Sequence, residues 1–277
     1  EVFVIGDQAL TLAQMMGVET RRPLQDGLIS PGENDAIDVL AQIIKTVLGE
    51  PRVEGEHCFF SVPAAPIDKQ RDVIYHRGVF TRIVEQCGYT PHPSNEAMAI
   101  VMAECADSDF SGIGISFGAG MCNIALATDA VAGMEFSVAR GGDWIDKGAS
   151  TATGQTSAQI CALKEKQLDL MNVDAGDRPR EALALYYREL IDYCLDNIAK
   201  KFKQSAQNIT LPKPIPMVVS GGTSKPAGFL EFFQQQFERR RKRFPIEISE
   251  VRQANDPLHA VAHGLLTEAL LEHEDDG

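Results

Sequence analysis

Apolar positions along the chain follow two periods. Ile37, Leu40, Ile43, Ile44 and Leu48 recur at helical spacing and predict a helix over residues 35–48. Short unbroken apolar or β-branched runs predict strands at 2–5, 57–62, 113–117, 124–127, 135–139, 216–220 and 246–249. Amphipathic stretches at 8–16, 69–87, 95–105, 157–170, 180–202, 227–242 and 257–271 predict further helices, with Gly88 as the stop signal of the second. Residues 204–216 form a polar, proline-marked connection, and residues 272–277 an acidic, frayed tail. Strands alternating with helices give an α/β architecture, and a glycine hairpin between adjacent strands at 118–122 makes the sheet mixed. No tandem repeat is visible.

Composition narrows the function classes. A chain of 277 residues holds one large or two medium domains, and 44% hydrophobic residues exclude general disorder. The formal net charge of −13 argues against a nucleic-acid partner, since there is no positive field to displace counterions. It leaves room for a phosphate ligand, which backbone N–H groups can hold locally. The six cysteines show no C-x-x-C or zinc spacing and read as small apolar residues in a reducing cytoplasm. Neither a basic start with an apolar run nor an apolar stretch of about 18 residues is present, so no signal peptide or membrane span is expected.

Three glycine clusters are candidates for chemistry. Gly118-Ala119-Gly120 between two strands is compatible with a tight hairpin, and Gly141-Gly142-Asp143 with a turn that caps the next helix. Gly221-Gly222-Thr223-Ser224 lies between a strand and a helix, where a ligand could approach backbone closely and meet unpaired N–H groups. None of them is a P-loop or a G-x-G-x-x-G.

The order of these and other segments resembles the actin-like ATPase superfamily, and the bacterial actin MreB in particular. Arg22-Pro-Leu-Gln-Asp-Gly-Leu-Ile is similar to R-P-L-x-D-G-V-I, with Ile5-Gly6-Asp7-Gln8-Ala9 resembling the V-G-x-x-A ahead of it. Val62-Pro63, Arg71 and Cys87-Gly88 resemble V-P…R…A-G, and Asn95-Glu96-Ala97-Met98-Ala99 stands where that family has E-P-M-A. Ile115-Ser-Phe-Gly-Ala-Gly-Met-Cys resembles the second phosphate loop, and Val138-Ala-Arg-Gly-Gly-Asp-Trp-Ile-Asp resembles V-x-x-G-G-D-x-F-D. Leu163-Lys-Glu-Lys is similar to I-K-E-K, Val218-Val-Ser-Gly-Gly-Thr-Ser to the adenosine loop, and Asn255-Asp-Pro-Leu-His-Ala-Val-Ala-His-Gly to the closing helix.

This resemblance implies two ribonuclease-H-like lobes with nucleotide between them. Lobe I would comprise residues 1–111 with 255–277, and lobe II residues 112–254. It implies ATP or ADP with magnesium as ligands. The N–H groups of Gly118, Ala119, Gly120 and Met121 would hold phosphates, and Gly141, Gly142 and Asp143 would line the same site. Lys164 and Glu165 would reach the ribose or base, while Gly221, Gly222 and Thr223 would lie against the adenosine. Glu96 would position the attacking water or act as base; without the resemblance it reads as a carboxylate at a helix N-terminus.

Departures from the pattern bear on activity. The family's first phosphate loop, D-x-G-[TS], should precede Ile5, and the carboxylate that opens the second loop is Ser116 here. A hydroxyl supplies no charge to a magnesium shell, so hydrolysis is expected to be slower or lost. Residues 172–179 are too few for the small sheet that MreB carries as the outer part of its second lobe. The resemblance therefore leaves three functions open: a filament-forming ATPase, a non-polymerising nucleotide switch, and a binder that has lost turnover. Arg239, Arg240, Arg241, Lys242 and Arg243 form a basic run. It reads as the last turn of a helix, or as a docking patch for an acidic partner or an anionic membrane surface. Asn208-Ile-Thr210 matches a glycosylation sequon that a cytoplasmic chain would not use, His259/His263 at i, i+4 lack the glutamate of an H-E-x-x-H zinc motif, and Trp144 reads as a core residue.

Overall fold

The computed structural model describes residues 4–18, 20–30, 35–205, 211 and 214–275. The Asn208 sequon and much of the connection at 204–216 lie outside the described residues, as does part of the strand expected at 2–5. Of that strand, Val4 and Ile5 are described and are not in a strand.

A five-stranded mixed sheet dominates the second half of the chain. Strands β5 (Gly112–Phe117), β6 (Cys122–Thr128) and β7 (Val131–Val138) form an antiparallel meander, and β8 (Ile215–Ser220) and β9 (Ile248–Gln253) run parallel to β5, in the order β7-β6-β5-β8-β9. Alternation along β5 sorts its side chains. Ile113, Ile115 and Phe117 enter a core shared with α5 (Gly142–Thr153), α6 (Ser157–Gln167), α7 (Arg178–Ser205) and α8 (Phe229–Glu238). On α7 a buried stripe of Leu183, Tyr187, Leu190, Ile191, Cys194, Leu195 and Ile198 faces this core. Each buried Leu or Ile there contributes about 1.5–3 kcal/mol.

The opposite face of β5 carries Gly112, Gly114 and Ser116 and meets α4 (Glu96–Glu104). Here glycine is required by close approach, because a Cβ at Gly114 would overlap the Ala97 carbonyl. Helix α9 (Ala260–Asp275) covers the other side of α4, with Gly264 against the Ala99 carbonyl.

The first half is built from smaller pieces. Helix α1 (Asp7–Met16) is followed by a hairpin of β1 (Leu24–Gln25) and β2 (Leu28–Ile29), then by α2 (Ala36–Leu48). Strand β3 (His57–Val62) pairs in parallel with β4 (Thr90–Asn95), joined by α3 (Val73–Gln86). Residues 64–68 leave β3 and pass along the edge of β7. There Ser137 N–H donates to the Ala65 carbonyl (3.2 Å), Ile67 N–H to the Ser137 carbonyl (3.0 Å) and Ala139 N–H to Asp68 Oδ1 (2.8 Å).

Differences from the sequence pattern lie in both halves, and in the five-stranded half the whole of α5 forms where the pattern predicts only a turn ahead of the next helix. Strand β4 contains Pro91 and Pro93, a composition that hides a strand. Both prolines share one parity, so the side that lacks N–H groups faces away from β3. Helix α3 starts at Val73 rather than 69, because Asp72 accepts from Tyr75 N–H and caps it, leaving Lys69 and Arg71 outside. Helix α8 stops at Glu238, and Arg241–Arg243 forms a separate 3-10 turn.

Candidate functional site

The hairpin after β5 is closed by its own backbone, Gly118 N–H donating to the Met121 carbonyl (3.0 Å). The first turn of α5 then uses its unpaired N–H groups on this loop: Gly142 donates to the Gly118 carbonyl (3.0 Å) and Asp143 to the Ala119 carbonyl (2.8 Å). Thr223 Oγ1 also donates to the Gly118 carbonyl (2.9 Å). Gly141 must be glycine here, since a Cβ would come 2.5 Å from Ala119 O. The loop carbonyls of Gly118, Ala119 and Met121 are thus consumed within the protein. Its amides are not: among the described residues, the N–H groups of Ala119 and Gly120 have no acceptor. Two neighbouring N–H groups left free in a glycine loop suit an anion.

The loop after β8 lies beside the first. Gly221 adopts φ 96°, donates its N–H to Pro257 O (2.9 Å), and would meet Phe117 O at 2.5 Å with a Cβ. The left-handed glycine is therefore Gly221, fixed by the fold itself. Gly222 is different: it is exposed, and its nearest obstacle to a side chain is Leu258 Cδ2 at 3.9 Å. Its bare backbone faces open space beside the 3-10 turn Gly222–Ser224, and Tyr187 O–H supports that turn by donating to Thr223 O (3.0 Å).

Lys164 and Glu165 part company. Lys164 is buried, with Nζ donating to Asp146 Oδ2 (2.7 Å) and to the Gly142 carbonyl (3.3 Å), so it braces α5 from below the loop. Glu165 is exposed and accepts from Cys161 Sγ (3.4 Å). Burial holds the Asp146 carboxyl above the ordinary carboxylate range, with Lys164 opposing that rise, and Asp146 Oδ1 has no partner.

On the α4 face of the sheet, Ser116 and Asn123 are directly opposed across β5 and β6. Asn123 Nδ2 donates to Glu96 Oε2, while Asn123 Oδ1 accepts from Ala64 N–H (3.0 Å). Glu96 opens α4 just after Asn95, whose side chain caps the helix by accepting from Ala97 N–H (2.8 Å). Burial raises the Glu96 pKa, and the Asn123 hydrogen bond opposes the rise. Glu96, Asn123 and the buried Ser116 hydroxyl thus form one polar group where α4 meets the loop-bearing sheet.

The most consequential contact that sequence reasoning missed comes from the β1–β2 hairpin. Asp26 and Gly27 form its tip with φ 50° and 80°, as a two-residue primed turn requires. This tip presses on the phosphate-type loop: a Cβ at Gly120 would overlap Gly27 N and the Asp26 backbone, and one at Gly27 would meet Met121 Cε at 2.8 Å. Arg71 forms an ion pair with Asp26, Lys69 approaches the same carboxylate (3.9 Å), and Arg22 reaches Asp143 (3.4 Å). Ile29 N–H donates to Nδ1 of buried His76 (3.3 Å), whose pKa burial lowers to about 4. The D-G dipeptide signals a turn, but nothing in its sequence signals a partner so distant in the chain.

Trp144 follows Asp143 and is half-buried, edge-on to Tyr186 (5.2 Å between ring centroids). Arg140 lies 5.1 Å from the Trp144 ring and 3.7 Å from that of Tyr193. The basic run lies elsewhere, at the end of α8. Among the described residues no group of three His, Cys, Asp or Glu could hold a metal ion, and no helix is long and apolar enough to cross a membrane.

Several solved structures share this architecture. A MamK double helical filament matches with a TM-score of 0.71 at 17% identity, covering 96% of this chain and 85% of that one. MreB5 of Spiroplasma citri bound to ADP matches with 0.62 at 14%, over 93% and 81%. Ethanolamine utilization protein EutJ from Carboxydothermus hydrogenoformans matches with 0.56 at 18%, over 89% and 78%. Such identities establish the fold, which is actin-like. Among curated proteins no sequence matches the chain. The family model described as Volactin matches residues 1–269, nearly the full length, and on that ground the chain belongs to the Volactin family.

Proposed function

We propose that this protein binds ATP or ADP between its two glycine loops, hydrolyses ATP slowly, and self-associates into filaments. The observation that carries the reading is the pair of free amides at Ala119 and Gly120, beside the open backbone of Gly222. In support, solved structures with this fold include MreB5 of Spiroplasma citri bound to AMPPNP and MamK in a filament. The Ala119 and Gly120 N–H groups would hold phosphate oxygens, Gly222 and Thr223 would lie along the adenosine, and exposed Glu165 would be within reach of the sugar. Lys164 acts indirectly, by holding α5 against the loop.

When bound, the nucleotide supplies the phosphoanhydride bond. The described residues hold no metal cluster, so magnesium would arrive with the phosphates and complete its shell largely with water. Ser116 adds a hydroxyl where a carboxylate would add charge. Glu96, oriented by Asn123, would align the attacking water and accept its proton at a carboxylate oxygen, a role favoured by its raised pKa. Ser116 also favours a second reading, a nucleotide switch with little turnover.

Glu96→Gln separates these roles. ATP affinity by calorimetry should stay within about twofold while phosphate release falls about a hundredfold or more. Equal loss of both would make Glu96 structural. Sedimentation with and without ATP tests assembly, and an absence of nucleotide-dependent pelleting leaves the switch.

A further inference from the structure

Past the end of α8, Arg239, Arg240 and Arg243 of the basic run line a groove of about 580 Å³ against the C-terminal part of α7, which adds Asp196, Lys200 and Lys203. Its charges are unequally compensated. Arg240 is neutralised by Asp192 (2.8 Å) and Asp196 (2.9 Å). Among the described residues Lys200, Lys203, Arg239 and Arg243 have no ion-pair partner, although all four are exposed. The Arg239 guanidinium donates to Gln236 Oε1 (2.9 Å) and, among the described residues, meets no carboxylate. Four uncompensated cations around one groove, on a chain of net charge −13, mark a place where an anion is wanted.

The fold also fixes where this groove lies. Strand β8 ends at the Gly221 loop and starts at the far edge of the sheet, where Ile215 pairs with Ile248 of β9. Arg241 Nη2 donates to Ile248 O (3.3 Å) at the start of β9, which places the end of α8 at that same remote edge. An occupant of the groove would therefore leave the nucleotide loops uncovered.

The complementary charge lies at and just past the end of α9. Helix α9 begins beside the Pro257 carbonyl that receives Gly221 N–H and ends over the start of β3 and β4, where His273 is 5.3 Å from His57 and Glu272 is 3.5 Å from His92. The sequence from there is Glu272-His273-Glu274-Asp275-Asp276-Gly277, four acids in six residues. Two copies at −13 repel each other, so a stable contact has to concentrate opposite charges locally, and this tail and this groove are such a pair.

We propose that the groove between α7 and α8 receives the acidic tail of α9 from a second copy of the chain. The contact joins two different surfaces, and it builds a filament when the groove and the tail of each copy engage different neighbours, whereas a reciprocal exchange between two copies closes as a dimer that does not pellet. It rests on the self-association reading and names the surfaces that carry it. Being electrostatic and exposed, it weakens as salt rises through the range where the Debye length falls from about 10 Å to about 3 Å.

The test uses charge reversal in the full chain, with circular dichroism and ATP affinity checking that each variant is folded. Arg239→Glu with Arg243→Glu, or Glu272→Lys with Glu274→Lys and Asp275→Lys, should each reduce the pelleted fraction at least about fivefold. Combining the two sets should restore more than half of it. Wild-type pelleting untouched by either reversal overturns this inference alone. Loss on reversing the groove but not the tail overturns the tail as occupant and points to another acidic surface. A wild type that never pellets overturns the self-association reading and this inference with it.

Discussion

The two halves of the chain hold the same loops by different means. The five-stranded half ties them with backbone hydrogen bonds from α5, the Thr223 hydroxyl and a buried Lys164–Asp146 pair. The first half reaches them through the tip of a two-residue hairpin, kept in place by the Asp26–Arg71 pair and by His76 behind Ile29. Arg71 is 20% exposed and Asp26 44%, whereas Lys164 and Asp146 are 8% and 6% exposed. Shielded contacts keep their strength and wetted ones lose much of it to screening, so the second set should yield first. The comparison assigns rigidity to one side of the site and motion to the other.

The sharpest way to break that contrast is Lys164→Met. It strands a buried carboxylate that already has one oxygen unpartnered, and should cost about 3–5 kcal/mol in denaturant unfolding at pH 7. The loss should shrink in acid, because Asp146, already raised by burial, then takes up a proton. A loss below 1 kcal/mol would deny the five-stranded half its advantage.

The next effect is acid-induced and confined to the first half. His76 is held at about 4 against an ordinary 6.5, so the unfolded chain binds the extra proton between those values. Its contribution is complete above pH 6.5 and is lost as pH falls towards 4, by roughly 3 kcal/mol in all. Glu96, with its raised pKa, runs the other way, so the measurement is the difference between wild type and His76→Gln at pH 7 and pH 4.5. A difference that does not change with pH would remove His76 from the account. The smallest effect belongs to Arg71→Ala, about 1 kcal/mol on stability, because its pair is partly wet and Lys69 remains near Asp26. Amide exchange around Asp26 and Gly27 should nevertheless quicken well before exchange in β5 and β6.

Legibility in the sequence cuts across that division, since β3 of the first half stands where it was expected and α5 of the five-stranded half has no counterpart among the expected helices. Strands β3, β5, β6 and β8 appear within a residue or three of where apolar runs place them, because buried strands need such runs. Strand β4 was hidden by Pro91 and Pro93, and the first turn predicted for α3 was cut away by the Asp72 cap. At the site, glycines announce that backbone comes close to something without saying to what. Gly120 meets the Asp26–Gly27 tip, Gly141 the preceding loop, and Gly221 the end of β5, three partners that only the folded chain brings near. Lys164 shows the same limit from the other direction, since a lysine in a ligand-binding pattern turns inward to an aspartate whose burial no local pattern reveals.

Trp144 gives the α5 contact a practical consequence. It is the chain's only tryptophan, and the two residues before it donate their N–H groups to the carbonyls of Gly118 and Ala119. Its indole is flanked by the Tyr186 ring and by the Arg140 guanidinium, a charge 5.1 Å from the ring centroid to which its emission wavelength is sensitive. Any shift of the glycine loop is transmitted through those hydrogen bonds to the one strong intrinsic fluorophore, so the protein carries its own optical reporter. Stopped-flow emission can therefore time events at the loop without a label, on the unmodified chain.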